Sequence, residues 1–482
     1  MATAQQPPPR TEFVKAISRL DATALVVGSM IGSGIYIVSA DILRQVHAPG
    51  LLLLVWGLSG LVTLAGAITY GELAAMFPKA GGQYVYLREG ISPLFGYLYG
   101  WTMFTVIQTG TIAAVAVAFA RFTAVLFPGL APDVFLGGTI SFPKPIGDIA
   151  VGFSPQRIFA IVSIVVLTWI NIRGVRTAAL IQTSLTAIKI ATLAALILLG
   201  LTIGRNAEAI AANLGAGFWP TGGLTAALWP VIGAAMVGSL FSMDAWNNVG
   251  FASGELKDPK KDLPIAMAGG VLVVTTLYVL ANVAYLHVLP ASDIATAPQD
   301  RVGTAALQAM FGEPGLYIMA VAIMISTFGC NNGLILSGAR VYYAMALDNL
   351  FFKSAGVLHP AHKTPAVALV AQAVWTSVLC LSGTYGQLLD FVIFAALFFY
   401  MLTVIGLFAL RLRRPDLERP VKAPGYPVLP AVYLIGTGLL CVNLLVEKPT
   451  YSFAGLGLVA LGVPVYFIWR AVVGNQESSS PT

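Results

Sequence analysis

The sequence predicts an all-α membrane protein of twelve transmembrane helices in which helices 1 and 6 are discontinuous. Three observations lead there: charges are scarce, apolar runs are unbroken, and two spans in matching positions contain residues foreign to a membrane helix. Asp, Glu, Lys and Arg make up 10% of the 482 residues, against about 25% in a soluble domain. So few charges cannot coat a water-facing surface, which excludes a disordered chain, a nucleic-acid-binding domain and a soluble enzyme of this length. A β-barrel would read as short segments of alternating polarity. Runs such as Leu51–Ala75 and Val271–Leu289 are continuous instead, and about 20 residues is the length a helix needs to cross roughly 30 Å of hydrocarbon.

In chain order the spans fall at 20–44, 51–76, 92–127, 155–173, 177–203, 224–253, 264–289, 315–346, 365–383, 386–410, 427–446 and 452–472. Gly, Pro and charge clusters at Phe77–Gly82, Phe127–Pro155, Lys257–Pro264 and Arg411–Pro430 separate them. Residues 1–15 and 473–482 read as polar tails, with no cleavable signal peptide visible. Twelve spans put both tails on one side of the lipid bilayer. That side receives 19 of the 27 Lys and Arg residues and the other side seven, with Lys189 left mid-span. The positive-inside rule then makes both tails cytoplasmic and the host a cytoplasmic membrane. Topology accounts for most of the net charge of +6, so no nucleic-acid partner is needed. Cys330, Cys380 and Cys441 all lie in apolar segments and read as small packing residues.

Span 1 carries Gly28, Gly32, Ser33 and Gly34 at its middle. Each glycine weakens a helix interior by about 1 kcal/mol, although small residues also let membrane helices pack closely. Span 6 decides between these readings, because its centre holds Ser242, Asp244, Asn247 and Asn248. An Asp costs about 2.5–3.5 kcal/mol at a membrane-helix centre. Interrupted spans in corresponding positions of two halves point to an inverted-repeat transporter with its site at the interruptions. The blocks are 16–203 (spans 1–5) and 224–410 (spans 6–10), with spans 11 and 12 (427–472) outside the repeat. Unwinding frees amides at the start of the outer half-helix, which attract an anion, and carbonyls at the end of the inner half, which attract a cation. Gly32, Ser33 and Gly34 suit a carboxylate; the carbonyls near Met30 and Ile31 and around Phe241, Ser242, Met243 and Asp244 suit an ammonium. A substrate bearing both groups two bonds apart is an α-amino acid.

These residues resemble the amino acid–polyamine–organocation superfamily, and within it bacterial relatives of the L-type amino acid transporters. The landmarks are Gly28-Ser-Met-Ile-Gly-Ser-Gly-Ile35, Gly71-Glu-Leu with Pro78-Lys-Ala-Gly-Gly-Gln-Tyr84, Ala245-Trp-Asn with Gly254-Glu-Leu-Lys-Asp-Pro-Lys-Lys-Asp-Leu-Pro264, and Ser337-Gly-Ala-Arg340, spread over Phe13–Trp469. The resemblance implies a LeuT-type fold with a five-plus-five inverted repeat, alternating access, Phe241 as the outer aromatic gate and Trp246 just beneath the pocket. Related animal transporters have an uncharged residue where Asp244 stands, which leaves the substrate side chain open. They also carry a cysteine after span 3 that bonds a partner subunit. Residues 128–154 contain none, so no disulfide-linked heavy chain is expected.

Lys189, in Leu185-Thr-Ala-Ile-Lys-Ile-Ala-Thr192, lies about halfway along span 5. An ionisable residue there is a functional candidate unless it snorkels. About 15 Å to either end strains that reach. In sodium-coupled members of the superfamily Na⁺ sits between spans 1, 5 and 8, and the resemblance implies that the Lys189 ammonium occupies that place, facing span 1 carbonyls and the Ser337 hydroxyl. Transport would then be sodium-independent. Asp244 retains three readings: a carboxylate held by amides at the break, a contact to a substrate hydroxyl or amine, or a proton carrier. Glu72 and Glu255 stand near the cytoplasmic ends of spans 2 and 6, either as gate ion pairs or as solvated pairs. No catalytic constellation, metal spacing or phosphate loop is visible, and no cofactor is implied. The expected function is a secondary transporter of L-amino acids, mainly neutral, working as an exchanger or with protons. A cationic amino acid or polyamine permease, or a non-transporting amino acid sensor, is the alternative.

Overall fold

The structure is a computed structural model describing residues 13–130, 136–142, 149–382 and 385–478. Lys144 and most of the tail expected at 1–15 lie outside these residues, as does the end of the tail expected at 473–482.

Span 1 is two helices, α1 (Arg19–Met30) and α2 (Gly34–Val46), separated by three non-helical residues. Helix α1 starts in a capping box: the Ser18 hydroxyl accepts from the Asp21 N–H at 3.3 Å, and the Asp21 carboxylate accepts from the Ser18 N–H at 3.0 Å. Span 2 is α3 (Pro49–Met76), with proline at its first position. A short α4 (Gln83–Gly90) follows, which the sequence did not announce. Span 3 runs from α5 (Pro93–Thr102) through a π-helical turn at Met103–Ile107 into α6 (Gln108–Leu126). Strands β1 (Leu136–Phe142) and β2 (Ile149–Phe153) pair antiparallel where only a loop was expected. Spans 4 and 5 are α7 (Pro155–Ile172) and α8 (Val175–Leu201), with α9 (Ala207–Leu214) beyond them.

Span 6 begins as α10 (Leu228–Ser242) and stops there. Its expected inner half-helix is instead a run of turns with 3₁₀ segments at Asn248–Gly250 and Ser253–Glu255. The physical reason is local: Ala245 sits at φ 67°, outside the α region, and the following Asn247, Asn248, Gly250 and Gly254 are poor helix formers. Spans 7 to 12 follow as α11 (Pro259–Val288), two outer segments α12 (Ala291–Ala295) and α13 (Val302–Phe311), then α14 (Glu313–Leu347), α15 (Ala366–Ser382), α16 (Tyr385–Arg413), α17 (Val428–Glu447) and α18 (Pro449–Ser478). Among the described residues ten helical stretches are long and apolar enough to cross a membrane; α10 and α15 are apolar but shorter, for span 6 because of its break.

The core is the group of helices around the two breaks. Helix α3 packs along α11, α6 along α14, and α2 along α10. Some 94% of the most apolar stretch of span 1 is buried, against 28% for α18, so span 1 is a central rod and α18 faces outward. Exposed Ile435, Leu439, Val442, Phe467 and Ile468 form the apolar exterior that lipid would cover.

Candidate functional site

The two breaks touch. A Cβ on Gly34 would lie 2.0 Å from the Ser242 hydroxyl and 2.6 Å from its Cβ, so only glycine lets α2 and α10 approach this closely. Across the contact, Tyr278 of α11 donates its hydroxyl to Met30 O at 2.9 Å and lies 3.3 Å from Ser242 O. Gly32 N–H bonds Met30 O at 2.9 Å, and Ile31 has an extended ψ of 90°. The backbone therefore turns out of the helix at Ile31 and re-enters one residue after Ser33.

Lys189 reaches this break from α8. It is buried, and its ammonium donates to Gly28 O at 2.6 Å and to Ile31 O at 3.0 Å. Gly329 on α14 makes room for it, since a Cβ there would stand 2.9 Å from Lys189 Cε. The charge meets the carbonyl end of α1, where a helix terminus stabilises a cation. Among the described residues no carboxylate pairs with Lys189; its ligands are neutral oxygens, the ligand set of a small monovalent cation. Ser337 does not join them. Its hydroxyl bonds Gly333 O of its own helix at 2.7 Å. The hydroxyl of α14 that meets span 1 is Ser326, 3.2 Å from Ile31 O and 3.3 Å from Gly32 O. Cys330 also contributes, its thiol donating to Ser29 O at 2.9 Å.

Asp244 stands on the other side of the break. It is buried, accepts a very short hydrogen bond from the Tyr400 hydroxyl of α16, and takes the Ala245 backbone N–H. Two cavities flank it. One, of about 20 Å³, lies between the breaks against Met30, Gly32, Ser33, Gly34, Phe241 and Ser242. The second, of about 10 Å³, lies against Gln108, Asn247, Asn248, Tyr400 and the π turn of span 3. Asp244 and Ala245 line both. Each holds about one water, so the site is closed in this conformation. Met243 is fully buried and lines neither cavity.

Beneath the site Trp246 packs edge-on against Tyr70 with ring centroids 4.9 Å apart, and Tyr400 leans on it at 5.6 Å. Ion pairs follow toward the end of the bundle that carries the N-terminal segment. Arg340 grips Glu255 with two bonds of 2.9 and 3.1 Å, both side chains buried. Arg411 does the same to Glu72 at 2.9 and 2.5 Å, with Arg419 Nε 3.4 Å away and the Ala423 N–H bonded to the same carboxylate. The N-terminal segment closes over them: Ile17 bridges Leu256, Ala16 N–H bonds Glu255 O at 2.9 Å, and Arg19 meets Asp262 at 2.6 Å. Of the two sequence readings for Glu72 and Glu255, buried ion pairs are the arrangement found.

Sequence reasoning missed Ser326, Tyr278, Cys330, Gln108 and Tyr400, all of which line or brace the breaks. Tyr400 sits in an ordinary apolar run, Ala396-Leu-Phe-Phe-Tyr400. Ser326, Cys330 and Gly333 share a helical stripe with Ser337, so the stripe was readable and the depth along it was not.

Comparison with known proteins agrees with this architecture. The amino acid permease family matches residues 17–465. The chain is 31% identical over 455 residues to the serine/threonine exchanger SteT of Bacillus subtilis, covering 94% of this chain and 96% of that protein. It is 31% identical over 464 residues to the large neutral amino acids transporter small subunit 2 of Homo sapiens, covering 94% and 80%. It is 29% identical over 475 residues to the Asc-type amino acid transporter 1 of Mus musculus, covering 96% and 83%. The family and these relatives are transporters, and the chain belongs to the amino acid permease family, as a member related to the L-type amino acid transporters.

Proposed function

We propose that this protein is a sodium-independent secondary transporter of L-amino acids, mainly neutral ones, working by alternating access as an exchanger or with protons. The observation that carries this reading is the Lys189 ammonium on the Gly28 and Ile31 carbonyls. A fixed cation already fills the oxygen set that a coupling ion would need, so substrate movement is not tied to Na⁺ entry. The paired breaks and the packing of spans 2, 3 and 1 on spans 7, 8 and 6 support a five-plus-five inverted repeat. In the bound state the substrate carboxylate faces the amides at Gly32, Ser33 and Gly34, with Phe241 as outer gate and Trp246 as floor. The relative named as an exchanger favours exchange. Opening toward the cytoplasm parts Glu255 from Arg340 and releases Ile17 from Leu256. The grouping of Arg411, Arg419 and Arg340 at the end that carries the N-terminal segment supports placing that end in the cytoplasm.

One observation favours a second reading. Asp244 puts a carboxylate in the pocket, which suits a cationic amino acid or amine. Uptake of a radiolabelled amino acid panel into proteoliposomes, with and without internal amino acid, tests both. Neutral L-amino acids entering faster into preloaded vesicles is the expected result. Flux of cationic substrates alone supports the second reading, and no flux with retained binding makes the protein a sensor.

A further inference from the structure

The compartment beyond Asp244 has a chemistry that the transporter fold does not require. Its polar walls are Asp244, Tyr400, Gln108, Asn247 and Asn248, all buried. The amide donors there are engaged elsewhere: Gln108 Nε2 bonds Leu334 O at 2.7 Å, and Asn247 Nδ2 bonds Gln83 Oε1 at 2.8 Å. What remains toward the cavity is oxygen, on the Asp244 carboxylate, the Tyr400 phenol and Asn247 Oδ1, which lies 3.5 Å from that phenol. A carboxylate has about four acceptor sites, and Asp244 fills two with Tyr400 and the Ala245 N–H. Among the described residues no Lys, Arg or His pairs with it. The compartment measures about 10 Å³, room for one hydroxyl-sized group and not for an extended chain. Its far wall is fixed by the π turn at Met103–Ile107, a helix irregularity frequent at functional sites.

We infer that this compartment is a side-chain subsite in which Asp244, oriented by Tyr400, accepts a hydrogen bond from a short hydroxylated side chain, so that the transporter selects small hydroxy-amino acids over their apolar isosteres. The inference rests on the amino acid transport reading above and deepens it. An apolar isostere fills the same volume but leaves the buried carboxylate short of a donor, and sites built on such a bond discriminate strongly. The Asp244 side chain cannot do this alone. Tyr400 is its positioning residue, and removing the phenol frees the carboxylate to turn away.

The test compares threonine with valine, and serine with alanine and 2,3-diaminopropionate, in kcat/KM for uptake and in ligand-induced Tm shift of the purified protein. The expected result is a threonine-over-valine preference of at least tenfold that falls toward unity in Asp244→Asn and in Tyr400→Phe. The Tm readout covers a variant that binds without flux, and Tyr400→Phe covers a failure of Asp244→Asn to fold. Equal handling of threonine and valine by the unmodified protein, or a ratio unchanged in both variants, overturns the subsite while leaving amino acid transport intact. A tenfold preference for diaminopropionate over serine overturns the hydroxyl assignment in favour of a side-chain cation. Absence of any amino acid effect in both assays overturns the subsite and the transport reading together.

Discussion

Lys189 holds a positive charge where water does not reach, and its stabilisation comes from two carbonyls and the end of α1. A bare ammonium in such a place is very costly unless its donors are satisfied. The residue is therefore tuned to one geometry. Lys189→Ala removes the charge and leaves the Gly28 and Ile31 carbonyls without a donor; exchange in proteoliposomes should fall at least tenfold. Lys189→Arg should not rescue it, because the planar guanidinium does not fit past Gly329. Gly34 offers a second residue-scale test. In Gly34→Ala the new methyl meets Ser242 at 2.0–2.6 Å, so transport should be lost, and the added Ser242→Gly should restore part of it by removing the colliding atoms. Restoration by Ser242→Gly would show that the close approach of the two breaks is the requirement; a tolerated Gly34→Ala would show that it is not.

At the scale of elements, α1 and the turns after α10 are short pieces held at their inner ends by buried ion pairs and a single β-bridge. Removing one member of a buried pair costs about 3–5 kcal/mol, whereas replacing both by apolar residues is often neutral. Glu255→Gln should therefore lower Tm sharply. Glu255→Leu with Arg340→Met should recover most of the Tm but not the exchange rate, provided the pair gates rather than merely braces; recovery of both would make it a brace. The elements also show how far the sequence could be read. Charges and glycines in the wrong solvent were legible: Lys189, Asp244 and the Gly28–Gly34 run have no inexpensive alternative in lipid, so their positions marked the site before any geometry was known. Residues that suit a membrane helix anyway were not legible. Tyr400 and Tyr278 are ordinary in apolar spans, and Ser337 was chosen over Ser326 although 11 residues, about 16 Å of helix, separate them. The inner half of span 6 was expected to be helical because its composition is apolar overall, but the strain at Ala245 and the polar side chains beside it turn the chain into 3₁₀ segments.

For the whole molecule, two claims remain to be measured: its direction in the membrane and what drives it. The proposed orientation places Lys353 in the cytoplasm and Arg205 outside. In a background lacking Cys330, Cys380 and Cys441, Arg205→Cys should react with a membrane-impermeant maleimide on intact right-side-out vesicles, and Lys353→Cys only after permeabilisation. The reverse pattern would invert the topology and move the Glu255–Arg340 and Glu72–Arg411 pairs to the outer mouth. What drives transport depends on the fixed ammonium. The most direct measurement is initial-rate uptake of a radiolabelled neutral L-amino acid into proteoliposomes, with and without an inward Na⁺ gradient, for the unmodified protein and Lys189→Ala side by side. The prediction is equal rates in both conditions for the unmodified protein and loss of uptake in the variant. Uptake by the unmodified protein that depends on the Na⁺ gradient, or full activity of Lys189→Ala without it, would contradict the assignment of Lys189 as the resident cation of the site.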